Sequence, residues 1–256
     1  MIDETMTYNI MNAAALTALL YSDVEALTAL LDQGLSPDAK WTNQGTDDAL
    51  SEHYVDGIWI PALHLALDLS NDECFELLLA RGANPYAVNS QGFCLSSGIE
   101  PHRIGILSIL ARFKLDFNLT LQESPRGDTF FTQFMSYAYV QDMALIEQMI
   151  QLGADPNATF PWHHAKDEAM TPLCVGLFLD EWEHCERLLD LGADALFQLP
   201  NGLSPLSLVH IGATKDDLDR PEPSPALGAR LKSILEQSTL NQELPAPQAL
   251  VRASRL

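Results

Sequence analysis

The sequence predicts an all-α fold, a solenoid of about six helix–turn–helix units joined by hairpin loops. Three observations lead there. Leucine-rich segments stop abruptly at a glycine and run into a short polar turn: "LTALLDQGLSPDAK", "FELLLARGANPYAVNSQG", "IEQMIQLGADPNAT" and "CERLLDLGADALFQ". The closing glycines, Gly34, Gly82, Gly153 and Gly192, are spaced by 48, 71 and 39 residues, and Lys114 of "RIGILSILARFKLDFNL" divides the long gap into 32 and 39, so a period of about 33 underlies the chain. A second, shorter helical segment precedes each leucine helix by roughly 20 residues.

Each unit can be justified in order. Residues 8–40 are polar early and alanine-rich, which suits an N-terminal cap. Residues 60–92 pair "PALHLALDLSND" with the leucine helix through Ala80; Pro61 stands where a capping Thr would be, so a Thr-to-His hydrogen bond is not expected there. Residues 93–127 begin with "FCLSSGIEPH", lack a Thr-Pro start and carry Lys114 at the glycine position, so this unit should be the least regular. Residues 128–160 contain "TQFMSYAYVQD" and the helix ending at Gly153. Residues 170–202 start at Thr171-Pro172, and residues 203–240 at Ser204-Pro205. A hydroxyl caps the free N–H groups of a first turn, and Pro is tolerated just inside it because its missing donor had no partner anyway. Pro221, Pro223 and Pro225 mark a loop insertion before a closing helix at Ala226–Gln237, followed by a tail at 241–256. Long insertions fall at 41–60 and 160–170. All of this is read as one domain spanning 1–256.

The physical logic of the repeat is simple. Glycine adopts a left-handed backbone at little cost, so it closes a helix and turns the chain out of the stack. The Leu pairs, such as Leu78–Leu79 and Leu188–Leu189, cannot be covered within one unit and must be buried by its neighbours.

On these residues, "PALHLAL…FELLLARGANPYAV" and "TPLCVGL…CERLLDLGADA" above all, residues 8–240 resemble the ankyrin-repeat family. The resemblance implies a stack with hairpin loops and short helices lining a concave face, and a role in binding other proteins. His64, at the family's usual His position, is then a structural residue.

Composition narrows the function. Hydrophobic residues make up 47%, enough for a sizeable core, and the formal charge is −21. That charge disfavours nucleic acid and anionic membrane surfaces, which attract cationic proteins. Residues 1–80 hold one base, Lys40, against 14 acids. The N-terminus has no basic leader and no apolar run reaches the ~18 residues of a membrane span. With Cys74, Cys94, Cys174 and Cys185 in no CxxC arrangement, a cytoplasmic chain with free, mostly buried thiols is expected. The pattern leaves the placement of Cys94 open.

Candidate binding residues sit in the insertions and loops. The first insertion supplies Trp41, Asp47, Asp48, Glu52, Tyr54, Asp56 and Trp59 without any Lys or Arg; the second supplies Trp162, His163 and His164; Tyr86 lies in the loop after Gly82. Exposed aromatics beside charge act as interface anchors; the alternative is that the Trp side chains fold back onto the stack. His163 and His164 are adjacent, unlike the i, i+4 spacing of a helical metal pair, so neither a metal nor a cofactor is expected. No catalytic frame is recognisable: Cys185 and His184 are sequence neighbours that diverge on a helix, and there is no phosphate-cradling glycine loop.

The expected function is a non-catalytic, monomeric module that binds a protein partner on its concave and loop face, along a stack on the order of 50 Å long. A second reading is an inhibitor or immunity protein that neutralises a basic toxin or enzyme through its acidic surface, a role some similar ankyrin-repeat proteins fill.

Overall fold

The computed structural model describes residues 4–42, 59–122, 124, 126–136, 142–162, 168–207 and 224–243. Helices dominate and come in pairs. The first pair is α1 (Glu4–Leu20) and α2 (Val24–Asp32), and the second is α3 (Ala62–Asp68) and α4 (Asp72–Ala80). In the third unit two 3-10 turns, Leu95–Gly98 and Pro101–Arg103, stand in for the short helix ahead of α5 (Gly105–Arg112). The series continues with α6 (Phe130–Ser136) and α7 (Met143–Gln151), then α8 (Pro172–Phe178) and α9 (Trp182–Asp190), and closes with α10 (Pro225–Glu243). Two short antiparallel hairpins accompany them: β1 (Lys40–Thr42) with β2 (Trp59–Pro61), and β3 (Phe160–Trp162) with β4 (Glu168–Met170).

The caps explain where the short helices start. Thr171 Oγ1 accepts from the Cys174 amide at 3.4 Å with Pro172 behind it, and Ser204 and Ser207 cap each other reciprocally. Thr129 and Thr132 form the same reciprocal pair, so α6 begins at Phe130, two residues ahead of the segment expected from the sequence. Pro61 offers no side-chain cap, as anticipated, and neither does Cys94 at the head of the irregular third unit. Pro225 is the first residue of α10, where the sequence reading had assigned it to a loop; its fixed φ suits a first helical turn, and Ser224 Oγ caps that turn at the Leu227 amide.

Two kinds of left-handed residue shape the described units. Gly34, Gly82, Gly153 and Gly192 close the second helices with φ of 101°, 90°, 111° and 98°. Lys114 takes that role in the third unit at φ 58°. Ser22, Ser70 and Asp180 turn the chain between the two helices of a unit at φ 56–59°. In two of these turns the next residue caps the second helix: Asp23 accepts from the Ala26 amide and Asn71 from the Cys74 amide.

One apolar core runs through the described units, from Leu19 and Leu27 to Leu188, Leu227 and Leu231. The short helices are enclosed by it. Every residue from Ala62 to Leu67, from Phe130 to Ser136 and from Pro172 to Leu177 is buried. Gly176 permits the tightest approach, since a Cβ there would lie 2.9 Å from Cys185 Sγ on α9.

Salt bridges tie the second helices together across the stack. Arg81 reaches Asp32 at 2.7 Å, Arg112 grips Glu76 with two bonds of 2.9 Å, Arg187 reaches Glu147 at 2.7 Å and Arg230 reaches Asp190 at 2.5 Å. Arg103 pairs with Asp72 in the same manner. Each is partly exposed and contributes little to stability alone, but together they engage most of the described arginines.

The left-handed closures give a direct test. Lys114→Gly should raise stability to urea by about 0.5–1 kcal/mol, because glycine relieves the left-handed strain. Gly82→Ala should lower it by about 1 kcal/mol; no neighbour lies within 4 Å of the added methyl, so the loss there is pure backbone strain.

Candidate interaction surface

The loops that follow the second helices carry a pattern legible only when they are aligned. Two residues past each closure stand Ser36, Asn84, Asp116, Asp155 and Asp194; four past it stand Asp38, Tyr86, Asn118, Asn157 and Leu196. In every loop the first side chain accepts from the amide of the second residue, at 2.8–3.2 Å. The second side chain then accepts from the amide of the first residue in the next loop. Asp38 takes the Asn84 amide at 2.7 Å, Tyr86 Oη that of Asp116 at 2.7 Å, Asn118 that of Asp155 at 2.9 Å and Asn157 that of Asp194 at 2.7 Å. Asn118 and Asn157 also donate to the carbonyls of Gly153 and Gly192. A continuous hydrogen-bonded ladder thus runs along the finger bases. It stops at Leu196, which has no acceptor to offer.

The fingers project from this ladder. Asn89 and Phe93 form one tip, with Gly92 left-handed at 84° and the Asn89 carboxamide oxygen accepting from the amides of Gln91 and Phe93. Thr120 bridges Thr129 in the next, closed by Ser124 and Asp128. Adjacent fingers touch: the Ser90 amide donates to the Trp59 carbonyl, and the Trp59 amide to Ser90 Oγ. Gln133 of α6 fastens the second finger from behind, accepting from the Cys94 amide at 2.5 Å and donating to the Gly92 carbonyl at 2.9 Å.

Strand parity separates the tryptophans. In the first hairpin Trp41 opposes Ile60 and Thr42 opposes Trp59. Directly opposed residues share a face, so Trp41 and Ile60 point inward together. Trp41 is buried and its Nε1–H donates to the Asn12 carbonyl at 2.9 Å. Trp59 lies on the other face, half-exposed, with Lys40 diagonally across from it and Nζ 3.8 Å from the ring centroid, a cation–π contact. Trp162 follows the parity of Phe160 and is fully buried, edge-on to Phe178 with centroids 5.2 Å apart. Tyr86 is a half-buried rung of the ladder, its phenol pushed up from its ordinary pKa by burial. Asp47, Asp48, Glu52, Tyr54, Asp56, His163 and His164 lie outside the described residues.

A polar cleft of about 250 Å³ opens between the first three fingers, lined by Asp38, Lys40, Asn84, Tyr86, Leu119 and Gln122 among others. Leu119 is 46% exposed in it. A second cleft, about 510 Å³, lies along Arg126, Asp128, Thr129 and Thr159.

The thiols are unsuited to chemistry. All four are free and buried; desolvation pushes Cys94 up to about 11 and Cys185 up to about 12, and raises Cys74 and Cys174 as well. A thiol so held is a poor nucleophile. His64 is buried, its Nε2 2.9 Å from the Ala87 carbonyl, and desolvation lowers it to about 4, so the ring is neutral and donates that bond. No group of three or more His, Cys, Asp or Glu among the described residues could hold a metal ion. No described helix is long and apolar enough to cross a membrane.

Residues 61–90 match the family model described as ankyrin repeat. The crystal structure of the ankyrin repeat domain of Bcl-3, a member of the IkappaB protein family, superposes with a TM-score of 0.55 at 18% identity, over 87% of this chain and 97% of that one. The chain has the ankyrin-repeat fold. No curated protein matches in sequence.

Within the ankyrin stack, one surface residue and one loop pattern escape the sequence reading. Lys40 stands out in the sequence only as the lone base of residues 1–80, and its place diagonally across from Trp59 follows from the register of β1 with β2. The ladder is signalled only in part, by the Asp-x-Asn pairs at Asp116–Asn118 and Asp155–Asn157, and Tyr86 is a structural substitute for Asn in its own rung.

Two outcomes are expected. Tyr86→Phe should cost about 1 kcal/mol in chemical denaturation by removing one rung. The ankyrin unit's His64 should make stability fall as pH drops from 6.5 towards 4, because the unfolded imidazole takes a proton that the folded one refuses. Between pH 6.5 and 5 the loss should be roughly 1–2 kcal/mol. His64→Gln, which keeps a donor for Ala87, should flatten that slope in urea titrations.

Proposed function

We propose that this chain is a non-catalytic protein-interaction module whose finger row, centred on Trp59, Lys40 and the cleft holding Leu119, binds a protein partner. One observation carries the reading: the half-exposed Trp59 stands on a backbone held by its hairpin and by Ser90, with Lys40 against its ring, beside a cleft built from three interlocked fingers. Side chains held in this way lose little entropy on binding, and Trp is the residue type most often found at interface hot spots. The enclosed short helices leave few side chains of their own to offer, so the fingers and loops supply the contact surface rather than the concave face alone. The residues between β1 and β2, with Asp47, Asp48, Glu52, Tyr54 and Asp56, would extend it, as would His163 and His164 in the second insertion. Four free thiols favour a cytoplasmic setting. A monomeric state is part of this proposal.

The partner is basic in this reading. The ring of Trp59 already seats a cation, Asp38 stands in the same cleft, and five of the described arginines are engaged in inter-unit ion pairs, which leaves the acidic excess to face outward. That last feature favours the narrower possibility of an inhibitor or immunity protein that occludes a basic toxin or enzyme.

Affinity capture from the native host, with wild type and Trp59→Ala in parallel, tests the proposal. A single basic protein should be recovered by the wild type and lost by the variant. The purified complex should weaken steeply from low to moderate salt if charge dominates. Retention at full strength by Trp59→Ala would overturn the assignment of the finger row.

A further inference from the structure

We propose a second docking surface: the C-terminal edge of the second helices in units three to five, which takes a basic amphipathic helix of a protein partner. The residue just before each closing position is the helix C-cap, and in chain order these are Gln33, Arg81, Phe113, Leu152 and Leu191. The first two are polar and the joint between them is covered by the Arg81–Asp32 ion pair. From the third unit onward the position is apolar. Phe113 is 38% exposed and Leu152 36%, while Leu191 is half-buried against the core. Beyond Leu191 an ion pair returns, Arg230 with Asp190. An apolar stripe therefore occupies the middle of an edge whose two ends are sealed by salt bridges. Equivalent positions in stacked units are neighbours, so these side chains form a row rather than scattered contacts.

The charges beside the stripe select the partner's sign. Asp116, Asp155 and Asp194 follow Phe113, Leu152 and Leu191 at a constant offset, exposed, each with one carboxylate oxygen held by the amide two residues on. The helix ends add their negative dipole ends to the same edge. Lys114 is the one opposing charge within this row, and Arg112 is already engaged by Glu76. Spacing selects the partner's form. Packed units lie roughly 8–10 Å apart, which is about five to seven residues of a helix at about 1.5 Å each, and of these a spacing near seven, close to two full turns, keeps successive side chains on one face. An extended segment would need a strand edge for its backbone groups, and this row is made of helix ends; a helix satisfies its own. The fitting ligand thus carries apolar residues about seven apart with Lys or Arg alongside.

Two synthetic helical peptides test this, one with Leu at every seventh position flanked by Lys, the other with Glu replacing Lys. Titrated by fluorescence anisotropy against the full chain, the Lys peptide should bind and the Glu peptide should not. Phe113→Ser with Leu152→Ser, checked for retained helicity by circular dichroism, should weaken binding by roughly tenfold or more through lost apolar contact. Trp59→Ala should leave it unchanged, which separates this surface from the finger row. Equal binding of both peptides, no binding of either, or full affinity in the double variant would each overturn the proposal.

Discussion

No helix pair in this chain can bury its own apolar face, and the rest of the structure answers that constraint. Leu27 and Leu31, Leu78 and Leu79, Leu107 and Leu110, and Leu188 and Leu189 all belong to one continuous core, so each unit completes its neighbour. Stacking then needs a fixed register, because a unit rotated or slid on the next would open gaps in a close-packed interior. The polar ladder provides that register along the finger bases and the arginine pairs provide it along the second helices. Neither need be strong; both are directional, and both repeat at every joint they span.

The same division explains the placement of polar function. Apart from the arginine pairs, what fixes geometry lies near the finger bases: carboxylates and carboxamides on loop amides, Gln133 on the second finger, Ser90 on Trp59. What remains above is a set of short, mutually braced projections whose side chains are free to vary without disturbing the stack. A scaffold of this kind suits recognition, and its deeply buried, hard-to-ionise thiols and neutral His64 belong wholly to the core.

Much of the fold was legible because its signals are local. Gly34, Gly82, Gly153 and Gly192 mark helix ends through a backbone requirement that few other residues meet, and Thr171-Pro172 marks a start for an equally local reason. Lys114 and the missing Thr-Pro correctly flagged the third unit, which forms 3-10 turns in place of a short helix. The site was less legible because it depends on pairing. Trp41 stands between the polar Lys40 and Thr42, and Trp59 between Ile58 and Ile60, so immediate neighbours would bury the wrong one; only the register of Trp41 with Ile60 sends one inward and the other out, and a slip of one residue would exchange them. Trp162 is buried for the same reason. Tyr86 read as an exposed aromatic until its hydroxyl was seen to take the place of an Asn side chain.

The arginine pairings have a mechanical consequence. Arg112 of α5 turns back to Glu76, whereas Glu147 of α7 turns forward to His184 and Arg187. The cross-links therefore diverge at the joint between α5 and α7, beside the unit that already lacks a regular short helix. Gln133 and Asn118 tie the units at that joint, Gln133 through the Cys94 amide and the Gly92 carbonyl, Asn118 through the Asp155 amide and the Gly153 carbonyl. Those bonds are uncharged, so their hold on the register there is insensitive to salt, unlike that of the arginine pairs.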